Sequence, residues 1–174
     1  MLLYEEIFKL KSLLRKGWII REACDKNGRY ESDAEHCFSM AILALEIMHK
    51  ENLNLDETKV LKMILYHELC EIDVGDYTPF DNITKKEKYN QELIATTRIA
   101  QKCDMPEILE LWLEFEENKT PEAQFVKKLD KLDAVMQSKI YSNIKGDNST
   151  FEQFYSHSEE KVKEFERFIN EKRD

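Results

Sequence analysis

The chain of 174 residues has the length of one domain, and 42% hydrophobic with 35% charged residues describes a folded core, not a disordered segment. Its 26 basic and 35 acidic residues leave a net charge of −9, which disfavours nucleic-acid binding, since that relies on Lys and Arg against phosphate. Only 4 Gly and 3 Pro argue for a mostly helical fold, and no apolar run reaches the roughly 18 residues that a membrane span requires.

Seven helices are predicted in one domain over residues 1–174. Leu3, Ile7, Leu10 and Leu14 recur at helical spacing over residues 3–16, with Gly17 as the stop. Residues 18–31 read as irregular. Ser32 or Asp33 caps a second helix, with Phe38, Ala41, Ile42, Leu45 and Met48 as its inward face. Asp56 opens a third, running through Val60, Met63 and Ile64 to His67. VGDYTPFDNI, residues 74–83, is a loop. Thr84 and Glu87 form a capping box for the fourth helix. The fifth runs from Pro106 to Asn118, and Thr120-Pro121 starts the sixth. The seventh runs from Thr150 to Lys172, with Phe154, Val162, Phe165 and Ile169 inward.

Cys24, Cys37, Cys70 and Cys103 are far apart, so no thiolate zinc knuckle is expected. The N-terminus lacks the pattern of a signal peptide. A cytoplasmic protein is therefore expected.

Of the four histidines, His49 and His157 fall among polar neighbours and read as solvated surface residues. His36 and His67 fall on apolar helical faces. Each would serve as a core histidine or as a metal ligand. The stretch YHELCEIDVGD, residues 66–76, surrounds His67 with Glu68, Glu71, Asp73 and Asp76. His67 and Glu71, four apart, are expected on one helical face. A zinc-protease HExxH motif is excluded, because Glu71 stands where the second histidine must be. In VKKLDKLDAV, Asp130 and Asp133 interrupt an apolar stretch, and buried acids are costly unless paired or metal-bound. These acids would pair with Lys127, Lys128 and Lys131 on exposed faces, or would join a pocket. A pocket of His36, His67, Glu68 and Asp130 would suit Mn, Fe, Co, Zn or, less well, Mg.

The segments LRKGWIIREA, ESDAEH, YHELCEIDVGD, VGDYTPFDNITKKEK and AQFVKKLDKLD, in this order, resemble the HD phosphohydrolase superfamily, and within it the HD-domain 5′-deoxynucleotidases. The resemblance implies an all-α bundle of about six to seven helices. It implies a lone His36, the pair His67-Glu68 and a distant Asp130 as ligands of one divalent ion. Glu68 departs from the family pattern, which has Asp at that position. The resemblance further implies hydrolysis of a nucleoside 5′-monophosphate, with Glu71 and Asp76 as catalytic residues. Glu71, Asp76 and the backbone of Tyr77 become candidates for a second ion. Arg15, Trp18, Arg21 and Thr78 become candidates for binding substrate, Trp18 being equally suited to a place in the core. A homodimer is expected, with the last helix and its Phe154, Phe165 and Phe168 as a contact surface. Other readings are an HD hydrolase of a triphosphate, alarmone or cyclic nucleotide, or a weakly active binding module left by Glu68.

Overall fold

The computed structural model describes residues 3–170. Among them the fold is all-α: α1 Leu3–Ser12, α2 Lys16–Ile20, α3 Asp33–Lys50, α4 Glu57–Tyr66, α5 Glu71–Val74, α6 Lys85–Cys103, α7 Pro106–Glu117, α8 Pro121–Lys145, α9 Ser149–Val162 and α10 Glu166–Asn170. No helix among the described residues is long and apolar enough to cross a membrane.

The predicted starts hold where a cap defines them. Ser32 and Glu35 form a capping box at α3, and Thr84 and Glu87 form another at α6. The Asp56 carboxylate accepts from Lys59 N at 3.0 Å, and Thr120 caps α8 ahead of Pro121. The main core joins α3, α4 and α8 to the C-terminal segment through Met40, Ile47, Met63, Leu129, Leu132 and Phe165.

Several expectations are corrected. The first helix ends at Ser12, because residues 13–15 turn out to pair with residues 31–33. Arg15 N donates to Glu31 O at 2.9 Å, and Asp33 N donates to Leu13 O at 3.0 Å. This pairing brings Arg15 beside Asp33 and frees Gly17 to sit inside the short helix α2. The inward face of α3 is also different. His36, Met40, Ala44 and Ile47 are buried, whereas Phe38 is 67% and Ile42 52% exposed. A helix with two apolar stripes does not disclose its core face by periodicity alone. The last predicted helix is interrupted by a 3-10 turn, Lys163–Phe165, between α9 and α10. Its expected end at Lys172 lies outside the described residues. Phe165 and Phe168 are buried in the core, and Phe154 packs on Trp18 with ring centroids 4.5 Å apart. These three rings pack within the chain, Phe154 only in part.

Candidate metal centre

Three elements meet at one point. His36 comes from the first turn of α3, His67 and Glu68 from the turn after α4, and Asp130 from the middle of α8. One donor atom from each of the four lies within 4.8 Å of the others. His67 Nε2 stands 3.2 Å from Glu68 Oε1, and His36 Nε2 stands 3.4 Å from Asp130 Oδ1.

The opposite ring nitrogens are already engaged. His36 Nδ1 is 2.7 Å from Asp133 Oδ2, and His67 Nδ1 is 2.7 Å from Ile64 O. An Nδ1–H donating to oxygen leaves the Nε2 lone pair facing inward. Both Nε2 atoms are buried and have no hydrogen-bond partner. Buried polar atoms are seldom left so. Two orphaned imidazole nitrogens beside two carboxylates fit a divalent cation. Burial and Arg15 lower the basicity of His36, but Asp130 and Asp133 outweigh them and push it up to about 10. A proton and a metal ion thus compete for the same lone pair.

The turn that carries His67 and Glu68 differs from the expected continuous helix. α4 ends at Tyr66, and Glu71 N donates to Glu68 O at 3.0 Å, three residues back. Bonding to the third residue stacks i on i+3. Glu71 therefore lies over Glu68 instead of over His67. Burial, with Glu68, Asp33 and Asp76 nearby, holds the Glu71 carboxyl well above the usual range, and its Oε2 has no partner. Burial also opposes ionisation of Glu68, but His67 and Arg15 keep it well below that range. Arg15 Nη1 reaches Glu68 Oε1 at 3.2 Å.

The other predicted site residues surround the centre. Asp76 accepts from Lys16 N at 2.6 Å. Thr78 donates through both its N (2.7 Å) and its Oγ1 (2.9 Å) to Asp81, which shapes the 76–81 loop, and the Tyr77 hydroxyl donates to Gln91. A cavity of about 430 Å³ opens beside Arg15, with Trp18, Arg21, Thr78, Phe80 and Phe154 in its wall. Trp18 is itself 2% exposed, so it is a core indole whose surroundings include the cavity. Arg21 is held in the cavity wall by two of its five donors. Its Nε donates to Gln153 at 2.8 Å, its Nη1 to Gly17 O at 3.0 Å, and the guanidinium lies over Phe154 at 4.8 Å.

Sequence reasoning missed three buried acids. Asp133 orients His36; its spacing from Asp130 was visible, but not its partner. Glu31 accepts from Trp18 Nε1 at 2.7 Å, a pairing across a segment read as irregular. Asp33 appeared as a helix cap, yet it is wholly buried 3.8 Å from Arg15 Nη1. Burial and Glu68 push its carboxyl up to about 7. His157, read as a surface residue, lies exposed on α9 at the rim of the 430 Å³ cavity.

A helical frame that brings two imidazoles and two carboxylates from separate elements to one point defines a divalent-metal protein. The sequence profile of the HD domain family matches residues 7–168, and the chain belongs to that family. It is 33% identical over 156 residues to 5′-deoxynucleotidase HDDC2 of Danio rerio, covering 88% of this chain and 74% of that one. It is 37% identical over 150 residues to the protein of the same name in Dictyostelium discoideum, covering 79% and 77%. A crystal structure of a Pyrococcus horikoshii OT3 protein superposes with a TM-score of 0.72 at 30% identity, covering 96% of each chain.

Proposed function

We propose that this chain, as a single HD unit over residues 1–174, hydrolyses deoxyribonucleoside 5′-monophosphates to nucleoside and inorganic phosphate with a divalent metal. The observation that carries the reading is the pair of inward, unpartnered Nε2 atoms of His36 and His67 beside Glu68 and Asp130. The names of the relatives supply the substrate class. His36, His67, Glu68 and Asp130 would hold one ion. Glu71, Asp76 and the backbone of Tyr77 are the candidates for a second. When bound, such an ion polarises a phosphoryl oxygen and acidifies water.

The chain's own groups do the rest. Glu71, one tight turn beyond Glu68 and with an unpartnered Oε2, accepts or donates a proton through water. Asp76, fixed by Lys16 N, orients the water or the sugar hydroxyl. Arg15, 3.2 Å from Glu68, places a fixed positive charge beside the phosphate. Trp18 and Phe154 shape the wall against which the nucleoside packs. Glu68 keeps its carboxylate within reach of both imidazoles despite its longer arm, which supports a working centre.

The cytoplasmic location remains part of this proposal, on the sequence grounds given above. So does the homodimer, for which the exposed stripe Phe38, Ile42 and Leu45 of α3 now offers the better surface; light scattering measures it. The test of activity is phosphate release from a panel of deoxynucleotides with Mn, Co, Mg, Fe or Zn. Release from 5′-monophosphates supports the proposal, and activity on triphosphates or cyclic nucleotides alone overturns it.

A further inference from the structure

A second cavity, of about 390 Å³, lies on the other flank of the centre. His67, Glu68 and Glu71 open into it, and its wall carries Lys85, Lys88, Lys127, Lys131 and Lys161. The two cavities share Asp130, Lys131 and Lys161. Along α8 the lysine-walled cavity takes residues 127, 130 and 131, and the aromatic one takes 130, 131 and 134. At about 1.5 Å per residue this is a run of about 10 Å. The cavities therefore lie end to end, and the metal-binding acid Asp130 stands at the joint.

Their walls differ in chemistry. The aromatic cavity holds Trp18, Phe80 and Phe154, with Arg15 at the centre's edge and an Arg21 that gives two of its five donors to Gln153 and Gly17. The other sets five lysines among the acids Glu68, Glu71, Glu92, Glu116 and Asp130, with Tyr89, Trp112 and Phe115 behind them and the Oε2 of Glu71 unpartnered. Lys88 and Lys127 stand half-buried, each with a single acidic partner, Glu92 at 3.4 Å and Glu116 at 2.6 Å. An ammonium group has three donors, so one acidic partner leaves Lys88 two for a further anion, and Lys127, whose Nζ also lies 3.9 Å over the Phe115 ring, retains at least one.

We propose that these cavities are two arms of one cleft: the lysine arm holds the phosphate and releases it as inorganic phosphate, while the nucleoside enters and leaves through the aromatic arm. The inference rests on the phosphomonoesterase reading above. Phosphoryl transfer runs in line, with the entering and leaving oxygens on opposite sides of phosphorus. Water enters from the lysine arm, beside Glu71, and gives up one proton to solvent as the new O–P bond forms. The P–O5′ bond breaks with its electron pair on O5′, which takes one proton from solvent water in the aromatic arm and becomes the nucleoside hydroxyl. The sum is one phosphomonoester and one water to one alcohol and one hydrogen phosphate. The two products then leave by different mouths.

Product inhibition tests this. In Lys88→Met and Lys127→Met the inhibition constant for inorganic phosphate should rise about tenfold, while that for deoxynucleoside stays at the wild-type value. Phe80→Ala, in an exposed loop position, should do the reverse. Elemental analysis confirms metal loading of each variant. Calorimetric titration of inorganic phosphate into metal-loaded protein supplies a second readout that needs no turnover. Equal phosphate affinity in wild type and both lysine variants overturns the proposal, as does joint weakening of both products by either class of variant. Wild-type protein that binds phosphate through Lys88 but cleaves no 5′-monophosphate would instead overturn the assigned activity and leave the phosphate site standing.

Discussion

Asp133 Oδ2 lies 2.7 Å from His36 Nδ1, although 97 residues separate them in the chain. The contact fixes which ring nitrogen of His36 faces the centre. One turn away on the same helix, Asp130 faces the other nitrogen. α8 thus grips one imidazole from both sides.

Asp133→Asn should therefore weaken metal binding about 10- to 100-fold without removing a ligand, as losses of such orienting contacts do. Asp133→Glu should restore part of it. A metal titration followed by calorimetry measures the effect, and unchanged affinity would mean that Asp130 alone orients the ring.

His67→Ala should abolish stoichiometric metal, read by elemental analysis, because it removes a central donor with no substitute nearby. Glu68→Asp should keep the metal and retain or raise turnover, since a carboxylate remains and the family's own ligand is restored. A collapse of turnover would show that the centre depends on the longer arm, which also reaches Arg15.

Trp18→Phe should keep the ring stack on Phe154 and the edge contact with Tyr141 but strand the buried Glu31 carboxylate. The expected loss is about 1–3 kcal/mol in urea unfolding. Adding Glu31→Gln should recover part of it. A double variant as unstable as the sum of the singles would refute the pairing.

Glu6, 1% exposed, pairs with Lys102 and with Arg98 at 3.2 Å. The Lys102 contact, with Arg98 assisting against burial, lowers its carboxyl from 4.5 to about 2. A depressed folded-state value stabilises above the unfolded value and loses that stability as pH falls. The contribution, on the order of 2 kcal/mol after allowing for the partly exposed partners, should be present above pH 4.5 and drain away toward pH 2. Glu6→Gln should lower the midpoint of thermal unfolding at pH 7 and flatten its fall below pH 4.5. Parallel pH profiles for the two proteins would exclude the assignment.

Much of this was legible in the sequence where local chemistry decides the outcome. Ser32, Thr84 and Thr120 mark helix starts because their side chains satisfy backbone N–H groups a few residues on. The pairing of His36 with His67-Glu68 and Asp130 was visible through family resemblance, and the geometry brings those four together. What stayed hidden depends on distant segments. The Leu13–Arg15 pairing with Glu31–Asp33 leaves no periodic signal, so α1 looked longer and Asp33 looked like a surface cap. α3 carries two apolar stripes, and only packing against α8 decides that His36, and not Phe38, turns inward. The tight turn at Glu68–Glu71 shifts Glu71 by about a sixth of a turn relative to a helical reading, too fine a change for spacing to reveal.

α8 is one unbroken rod of 25 residues, Pro121–Lys145, and it carries a candidate ligand, the group that orients another ligand, and two lysines of the phosphate arm. Each helical residue turns the chain by about 100°. A single inserted or deleted residue between Lys127 and Asp133 would swing one of these groups out of the cleft while leaving the composition almost intact. The 146–148 connection beyond the rod has no such duty, and extra residues there would leave the centre in register. The protein should thus tolerate exchanges of side chain along much of α8 far better than any change in its length.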